Sequence, residues 1–436
     1  MAQFRKDTHQ YLADGKTIFE VMMLADQFGN LVGPANPSGM AVDAFGRARV
    51  SQPLTLFDSF HRYQDNGKAS TANSAGGTHA FNSNTSTVDC TVSTASGAYV
   101  YRETNRVFAY QPGKSLQVIV TFIMNPAKEN LRQRAGYFNV DNGFFLERYD
   151  EEGVRFVKRS RVTGSPVDTP VEQASWNIDK MDGSGPSGLT LNLDYPQIMF
   201  VDVEWLGAGT ARMGFVINGA LIHCHSFHHS NMSDAPSGAY MQTACLPVRF
   251  EIENTGTTES PSTFKQLCAT VISEGGYELR GRDRTVGMDT PTSNNYTLST
   301  NNTYYPVCSI RLKSTRLDAI VIPRQISLVG TTASDFRYKI VAGATITGGS
   351  WVSAGSDSSV EYNLTGNSMT GGTDLLSSYL VSTGSQSLTA RLGDSQFKYQ
   401  LERNSFTSTP ITFTLAVASK ANSDKVLAGM DWEEIT

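Results

Sequence analysis

The clearest pattern in the chain is alternation. From Ile198 to Trp205, Met199, Val201, Val203 and Trp205 fall on one side, and Asp202 and Glu204 fall on the other. A period of two with one apolar side marks a half-buried β-strand. After a break at Gly207–Gly209, Arg212 to Ile217 runs into Asn218-Gly219 and returns through Ala220 to Phe227. Asn-Gly between apolar runs is a strong hairpin signal, because both turn positions need positive φ. A two-residue turn sets the register: Ile217 against Ala220, Phe215 against Ile222 and Met213 against Cys224. Gly214 then opposes His223, and Arg212 opposes His225.

Other segments repeat this pattern. Tyr137–Val140, Phe144–Tyr149 and Val154–Val162, separated by Asp141-Asn142-Gly143 and Asp150–Gly153, predict a three-strand meander. Leu189–Leu193, Leu246–Ile252 and Thr263–Ser273 predict further strands. Near the end, Ile411, Phe413, Leu415 and Val417 alternate with Thr412, Thr414, Ala416 and Ala418. Short strands between Gly and Asn turns predict an all-β protein of antiparallel β-sandwich or jelly-roll domains. Helical spacing is confined to Leu131–Arg134 and Leu375–Leu380, each expected to make a turn or two.

At 436 residues the chain exceeds the length at which one hydrophobic core stops growing. The expected division is an extended N-terminal arm over 1–60, a main sandwich over 61–280, a linker over 281–304 and a second sandwich over 305–436. The arm has few alternating runs and many turn residues, among them Gly29-Asn30, Gly33-Pro34, Pro37 and Gly39. Residues 66–100, rich in Ser, Thr, Asn, Ala and Gly, read as a loop or an edge insertion.

Composition narrows the function. Charged residues make up 18%, below the roughly 25% typical of soluble domains, and uncharged polar residues fill the gap. The formal charge of −5 and pI near 5.8 argue against a nucleic-acid partner. The densest basic run, Arg155, Lys158, Arg159 and Arg161, follows Asp150, Glu151 and Glu152, as a solvated hairpin would. Five widely spaced cysteines without a CxxC point to reduced thiols. No apolar run approaches the ~20 residues that span a bilayer, and the first residues lack a signal-peptide stretch. The expectation is synthesis in a cytoplasm, with no membrane partner.

Candidate chemistry is sparse. His223-Cys-His-Ser-Phe-His228-His229 holds four of the seven histidines, and His223 and His225 share one side of a strand, as two metal ligands would. Arg212 opposite His225 argues against a metal there, so these two are weak candidates. Gly183-Ser-Gly185-Pro-Ser-Gly188 matches GxGxxG, but a strand follows where a helix should start, and a turn is the expected reading. Gly393-Asp394-Ser395 resembles a hydrolase serine motif, yet no histidine follows it. Among the strand carboxylates Glu147, Asp202, Glu204, Glu251 and Glu253, Glu251 and Glu253 share a face, and a glycosidase pair there would need one raised pKa. The expectation is a protein with no catalytic residue and no cofactor.

Two stretches carry a resemblance. Asp43-Ala-Phe-Gly-Arg-Ala-Arg-Val-Ser-Gln-Pro-Leu-Thr-Leu-Phe-Asp-Ser59 resembles an element near the N-terminus of virion structural proteins of tailed bacteriophages. Trp176–Gly188, Gln197–Gly209, Leu246–Ile252 and Ile272–Tyr277 look like the core of the same group, and Asp431-Trp432-Glu-Glu-Ile435 is similar to their ends. The resemblance implies an oligomeric, non-enzymatic virion component: a tail, baseplate or fibre subunit or a capsid-surface protein. Its partners would be copies of itself and other virion proteins, with a host-surface glycan as a second partner class. Phe45, Arg47, Arg49, Leu54 and Phe57 are the residues expected at an assembly contact, packing on the first sandwich or on a neighbouring subunit.

Overall fold

The computed structural model describes residues 52–151, 153–232, 238–288, 295–383, 387–392 and 399–435, with the backbone alone over 387–391. Before residue 52 it describes the backbone of four short strands, β1 (Gln10–Leu12), β2 (Ile18–Glu20), β3 (Leu24–Ala25) and β4 (Leu31–Val32). β1 pairs with β2 and β3 with β4. The rest of the expected arm lies outside the described residues.

Fifteen strands build the first sandwich. They begin with β5 (Leu54–Ser59), β6 (Ala69–Asn73), β7 (Gly77–Asn82), β8 (Thr87–Val92) and β9 (Tyr99–Thr104). There follow β10 (Leu116–Ile123), β11 (Leu131–Phe138), β12 (Gly143–Tyr149), β13 (Gly153–Ser160) and β14 (Val167–Glu172). The last are β15 (Gln197–Val203), β16 (Ala211–Ile217), β17 (Ala220–Phe227), β18 (Val248–Asn254) and β19 (Ser262–Ser273). One sheet has the order β17-β16-β15-β10-β19-β8-β7, with β5 beside the second half of β19. The other has the order β14-β13-β12-β11-β18-β9-β6.

Every pairing is antiparallel, and the core lies between the two sheets. Val118, Val120 and Phe122 of β10 and Met199, Val201 and Val203 of β15 share it with Tyr137, Phe144, Leu146 and Phe250 from the facing sheet. Burying each of these side chains contributes about 1.5–3 kcal/mol relative to leaving it exposed.

The second sandwich opens with β20 (Arg282–Gly287), β21 (Tyr296–Leu298), β22 (Tyr305–Leu312), β23 (Ile320–Gly330) and β24 (Ala333–Ala342). It continues through β25 (Thr345–Thr347), β26 (Val352–Ser353), β27 (Val360–Asn363), β28 (Ser368–Thr370) and β29 (Thr373–Thr383). It closes with β30 (Ser387–Arg391), β31 (Arg403–Asn404), β32 (Thr409–Pro410), β33 (Phe413–Ser419) and β34 (Asp424–Ile435). Its sheets run β20-β34-β23-β30 and β26-β27-β22-β33-β24-β29. The two sandwiches meet at β23. Ile320 and Ile322 belong to the first core, while Val321, between them, belongs to the second.

The all-β sandwich expectation holds; among the described residues the sole helical element is a 3₁₀ turn, Gln173–Ser175. Several local expectations are corrected. Residues 66–100 are not a loop: they supply β6 to β8 and the start of β9, with β7 and β6 at the edges of the two sheets. Leu131–Arg134 starts β11, with Gln133 pointing inward, where it exchanges hydrogen bonds of 2.7 and 3.0 Å with the backbone of Asn125.

Leu375–Leu380 belongs to β29. A bulge against Ile340 and Val341 brings Leu375 and Leu376 in succession onto the core, which imitates helical spacing. The stretch 281–304 contributes β20 and β21, both paired with β34, instead of acting as a linker. Leu189–Leu193 makes only a single bridge, Asp182 to Thr190.

Candidate functional site

The outer face of the sheet β14-β13-β12-β11-β18-β9-β6 carries the densest set of functional groups. Strand alternation places it there. Ala135, Phe144, Phe156 and Phe250 point inward, so Arg134, Glu147, Arg155 and Glu251 must point outward. Register then lines them up: Glu172 opposes Arg155, Arg155 opposes Glu147, Glu147 opposes Arg134, and Arg134 opposes Glu251. Opposite charges sit face to face on five neighbouring strands, the favourable arrangement for cross-strand pairs.

The ion pairs form one continuous chain. Arg155 contacts Glu172 at 3.3 Å and, through Nε, Glu147 at 2.6 Å. Arg134 donates to Glu147 at 2.5 Å and to Glu251 at 3.1 Å. Arg249 donates to Glu251 and to Glu103, both at 2.6 Å. Arg403 of the second sandwich then donates to Glu103 at 2.8 Å and to Asp318 at 3.1 Å. The sequence of charges is Glu172–Arg155–Glu147–Arg134–Glu251–Arg249–Glu103–Arg403–Asp318, alternating at every step and crossing from one sandwich to the other. Phe138, Phe145 and Val157 form a small apolar cluster beside it, with the Arg134 and Arg159 guanidiniums 5.3 and 5.1 Å from the Phe145 ring.

The carboxylate oxygens of this arrangement are already taken up by guanidiniums. Glu147, Glu251 and Glu103 are 1%, 4% and 2% exposed, and each receives a guanidinium on both carboxylate oxygens. Burial pushes the Glu251 carboxyl up, but Arg249 and Arg134 together outweigh it and hold the group below the usual carboxylate range. A glycosidase acid needs the reverse shift and an oxygen free to meet the leaving group. Glu253, on the same face, is bound by Arg132 and the Tyr101 hydroxyl. Asp202 lies on β15 of the other sheet and Glu204 just beyond that strand's end, outside the strand expected to hold it, and Arg212 contacts both.

The histidine-rich strand needs one correction. The Asn218-Gly219 turn has the expected positive φ values, 54° and 79°, and Ile217–Ala220, Phe215–Ile222 and Gly214–His223 pair as expected. Beyond Gly214 the register shifts by one: Met213 opposes His225, not Cys224, and Arg212 opposes Ser226, not His225. Cys224 is the extra residue, and its carbonyl accepts the N–H groups of Ile178 and Asp179, both at 3.1 Å. A period-two reading cannot place a bulge that a distant loop stabilises.

His223 and His225 hydrogen-bond in different directions. His223 Nε2 sits 3.0 Å from Ser226 Oγ, whereas His225 Nδ1 accepts the Asn177 N–H at 3.3 Å. Burial lowers the pKa of both, that of His225 to about 4. Among the described residues no group of three or more His, Cys, Asp and Glu side chains is placed to hold a metal ion.

Of the expected contact residues, Leu54 packs against the first core, and Phe57, 2% exposed, lies inside it. Phe57 is therefore a core residue of its own chain, drawn in because β5 pairs with β19. Phe45, Arg47 and Arg49 lie outside the described residues, as do Gly393-Asp394-Ser395. The stretch Gly183–Gly188 forms turns, with positive φ at both of those glycines. Arg134, Arg249 and Arg403 escaped the sequence reading, and Arg155 was read there as part of a solvated basic run, although the alternation of Arg132 and Arg134, and of Arg249 with Glu251, already put them on one face.

No family model and no curated protein matches the sequence. Solved structures overlap about half of it. The carbohydrate recognition domain of Emp47p aligns at TM-score 0.33 and 10% identity, covering 52% of this chain and 99% of that one. A legume lectin-like domain from Entamoeba histolytica aligns at TM-score 0.30 and 8% identity, covering 50% and 97%. A Bacteroides ovatus mixed linkage glucan GH16 structure aligns at 0.32 and 7%, covering 50% and 99%. Similarity of this size leaves the function to the residues of this chain.

Proposed function

We propose that this chain is a non-enzymatic structural subunit of a tailed-phage particle, working through protein–protein contacts as a tail, baseplate or fibre subunit or a capsid-surface protein. The observation that carries the assembly reading is the edge strand β29. It is eleven residues long, pairs only with β24 among the described residues, and exposes Tyr379 and Val381. A long, apolar, nearly uncharged edge is a template for another strand. The neutralised carboxylates of the first sandwich support the non-enzymatic part, and the resemblance over Asp43–Ser59 supports the virion. Quantitative mass spectrometry of gradient-purified particles from the genome that encodes the chain tests the reading. Stoichiometric presence is expected, and absence overturns it.

A second reading, glycan binding, is favoured by one observation. Tyr99 and Tyr101 stack on the rim of the charged face with ring centroids 4.5 Å apart, beside Arg132 and Glu253. Half-exposed aromatic rings next to polar groups suit the apolar face and hydroxyls of a sugar. Glycan-array binding that disappears in Tyr99→Ala supports this reading; an array blank for the full chain removes it.

A further inference from the structure

Most guanidiniums of the two sandwiches are answered. Carboxylates take up Arg102, Arg249, Arg284 and Arg311, and the backbone carbonyls of Ser356 and Asp357 hold Arg316. Arg337 of β24 breaks the pattern. It is exposed, and among the described residues it has neither an ion pair nor a hydrogen bond. Arg62 shares this state, but its one ring belongs to the next residue, Tyr63.

Register explains what surrounds Arg337. Phe336, Tyr338 and Ile340 point into the second core, so Asp335, Arg337 and Lys339 point outward. Arg337 opposes Tyr379 of β29 on one side and the small Ala418 of β33 on the other. Tyr304 packs against the cluster of Val341, Ala344 and Ala416. The Arg337 guanidinium lies 5.8 Å from the Tyr304 ring and 5.8 Å from the Tyr379 ring. Cation–π attraction to two rings steadies the guanidinium without using its N–H donors. The two carboxylates of β24 and β29 are already taken, Asp335 by Lys420 and Asp374 by Lys339, both at 3.0 Å. One positive charge on this face is left over.

We infer that Arg337, flanked by Tyr304 and Tyr379, is a binding site for a carboxylate-bearing sugar, a uronate or sialate unit of a glycan. The inference rests on the glycan reading for its ligand class and gives that ligand a place other than the Tyr99 rim. Three features select it. A planar fork of N–H donors matches the two oxygens of a carboxylate and binds them together. A single surplus charge between Asp335 and Asp374 suits a monoanion, whereas those two carboxylates would repel a phosphate dianion. Tyr379, 71% exposed, offers its ring to the C–H face of a sugar, with Ser377 beside it on the same face to meet a hydroxyl. An acidic peptide, with its run of carboxylates, would meet one free cation here and two carboxylates.

Isothermal titration of the full chain with galacturonate, glucuronate and sialic acid oligosaccharides tests this, beside neutral galactose oligosaccharides and poly-L-glutamate. At least one acidic oligosaccharide is expected to bind, and the neutral ones roughly tenfold more weakly or worse, the effect of losing a hydrogen bond to a charged group. Arg337→Ala should erase that difference. Arg337→Lys should restore only part of it, because an ammonium keeps the charge without the fork. Tyr379→Ala should weaken acidic and neutral sugars alike. Circular dichroism and urea midpoints should not move, since both side chains are exposed. Silence with every acidic oligosaccharide overturns the inference, as does binding unchanged in Arg337→Ala, or poly-L-glutamate bound as tightly as the sugars. The two glycan proposals fail separately. Sugar binding lost in Tyr99→Ala but kept in Arg337→Ala removes the Arg337 site alone, and the reverse pattern removes the Tyr99 rim alone.

Discussion

The outer face of the first sandwich and the outer edge of the second sandwich make opposite uses of polarity. The face is crowded with charge, yet each carboxylate from Glu147 to Glu103 is answered by arginines of the same chain. The β29 edge is almost without charge, yet its backbone has a partner on one side only among the described residues. Charge density is therefore a poor guide to where this molecule acts. A saturated network has little left to offer a ligand, whereas unpaired strand backbone and exposed Tyr379 and Val381 gain by being covered.

The comparison breaks most visibly at Arg134. Arg134→Met takes one of two guanidiniums from each of the buried carboxylates Glu147 and Glu251, leaving them only Arg155 and Arg249, and should cost about 3–5 kcal/mol in chemical denaturation. A loss below about 1 kcal/mol, the range of exposed pairs, would mean the face is solvated and free to bind. Arg403→Met comes next, with a loss of about 3 kcal/mol, because buried Glu103 keeps only Arg249. It should also loosen the two sandwiches from each other, read as faster hydrogen exchange at Thr104 and Asn105, whose backbone contacts Arg403.

Acid acts on the first sandwich in one direction. The folded-state pKa of Glu251 lies below its unfolded value, so its stabilisation is present above the unfolded value and is lost as pH falls through the folded one. Burial lowers His225 and His229 from 6.5 to about 4, so the unfolded chain takes up protons first. Stability should fall steadily from pH 6.5 toward 4, and the double change His225→Gln, His229→Gln should flatten that slope in urea titrations.

The smallest effects belong to the exposed groups. Tyr379→Lys should shift monomer stability by no more than about 0.5 kcal/mol while changing association. Asp357→Asn, which breaks exposed pairs with Arg282 and Arg284, should leave the urea midpoint almost unchanged, and in high salt wholly so.

How far residue order reached depended on contrast between neighbours. Met199, Val201 and Val203 alternate with Asp202, and β15 was foreseen almost to its ends. The Asn218-Gly219 hairpin was equally plain, because few residues besides those two tolerate its φ values. Where small and polar residues fill both sides of a strand, as in β6 (Ala69-Ser-Thr-Ala-Asn73), the alternation fades. Where a bulge sets Leu375 beside Leu376, it imitates a helix. The carboxylates Glu147, Glu251 and Glu253 were singled out correctly as lying on strands, but their meaning depended on Arg134, Arg155 and Arg249.

Local pattern, then, was enough to establish antiparallel sandwiches, the main hairpins and which side of most strands is apolar. These follow from the two-residue period and from turn sterics, both properties of near neighbours. Pairing partners more than a hundred residues apart were decided only in three dimensions. Arg134 with Glu251, Arg403 with Glu103, the bulge at Cys224 and the pairing of β29 with β24 depend on which strands lie side by side. That order is set by how two whole sheets bury a common core, a balance no short stretch of sequence contains.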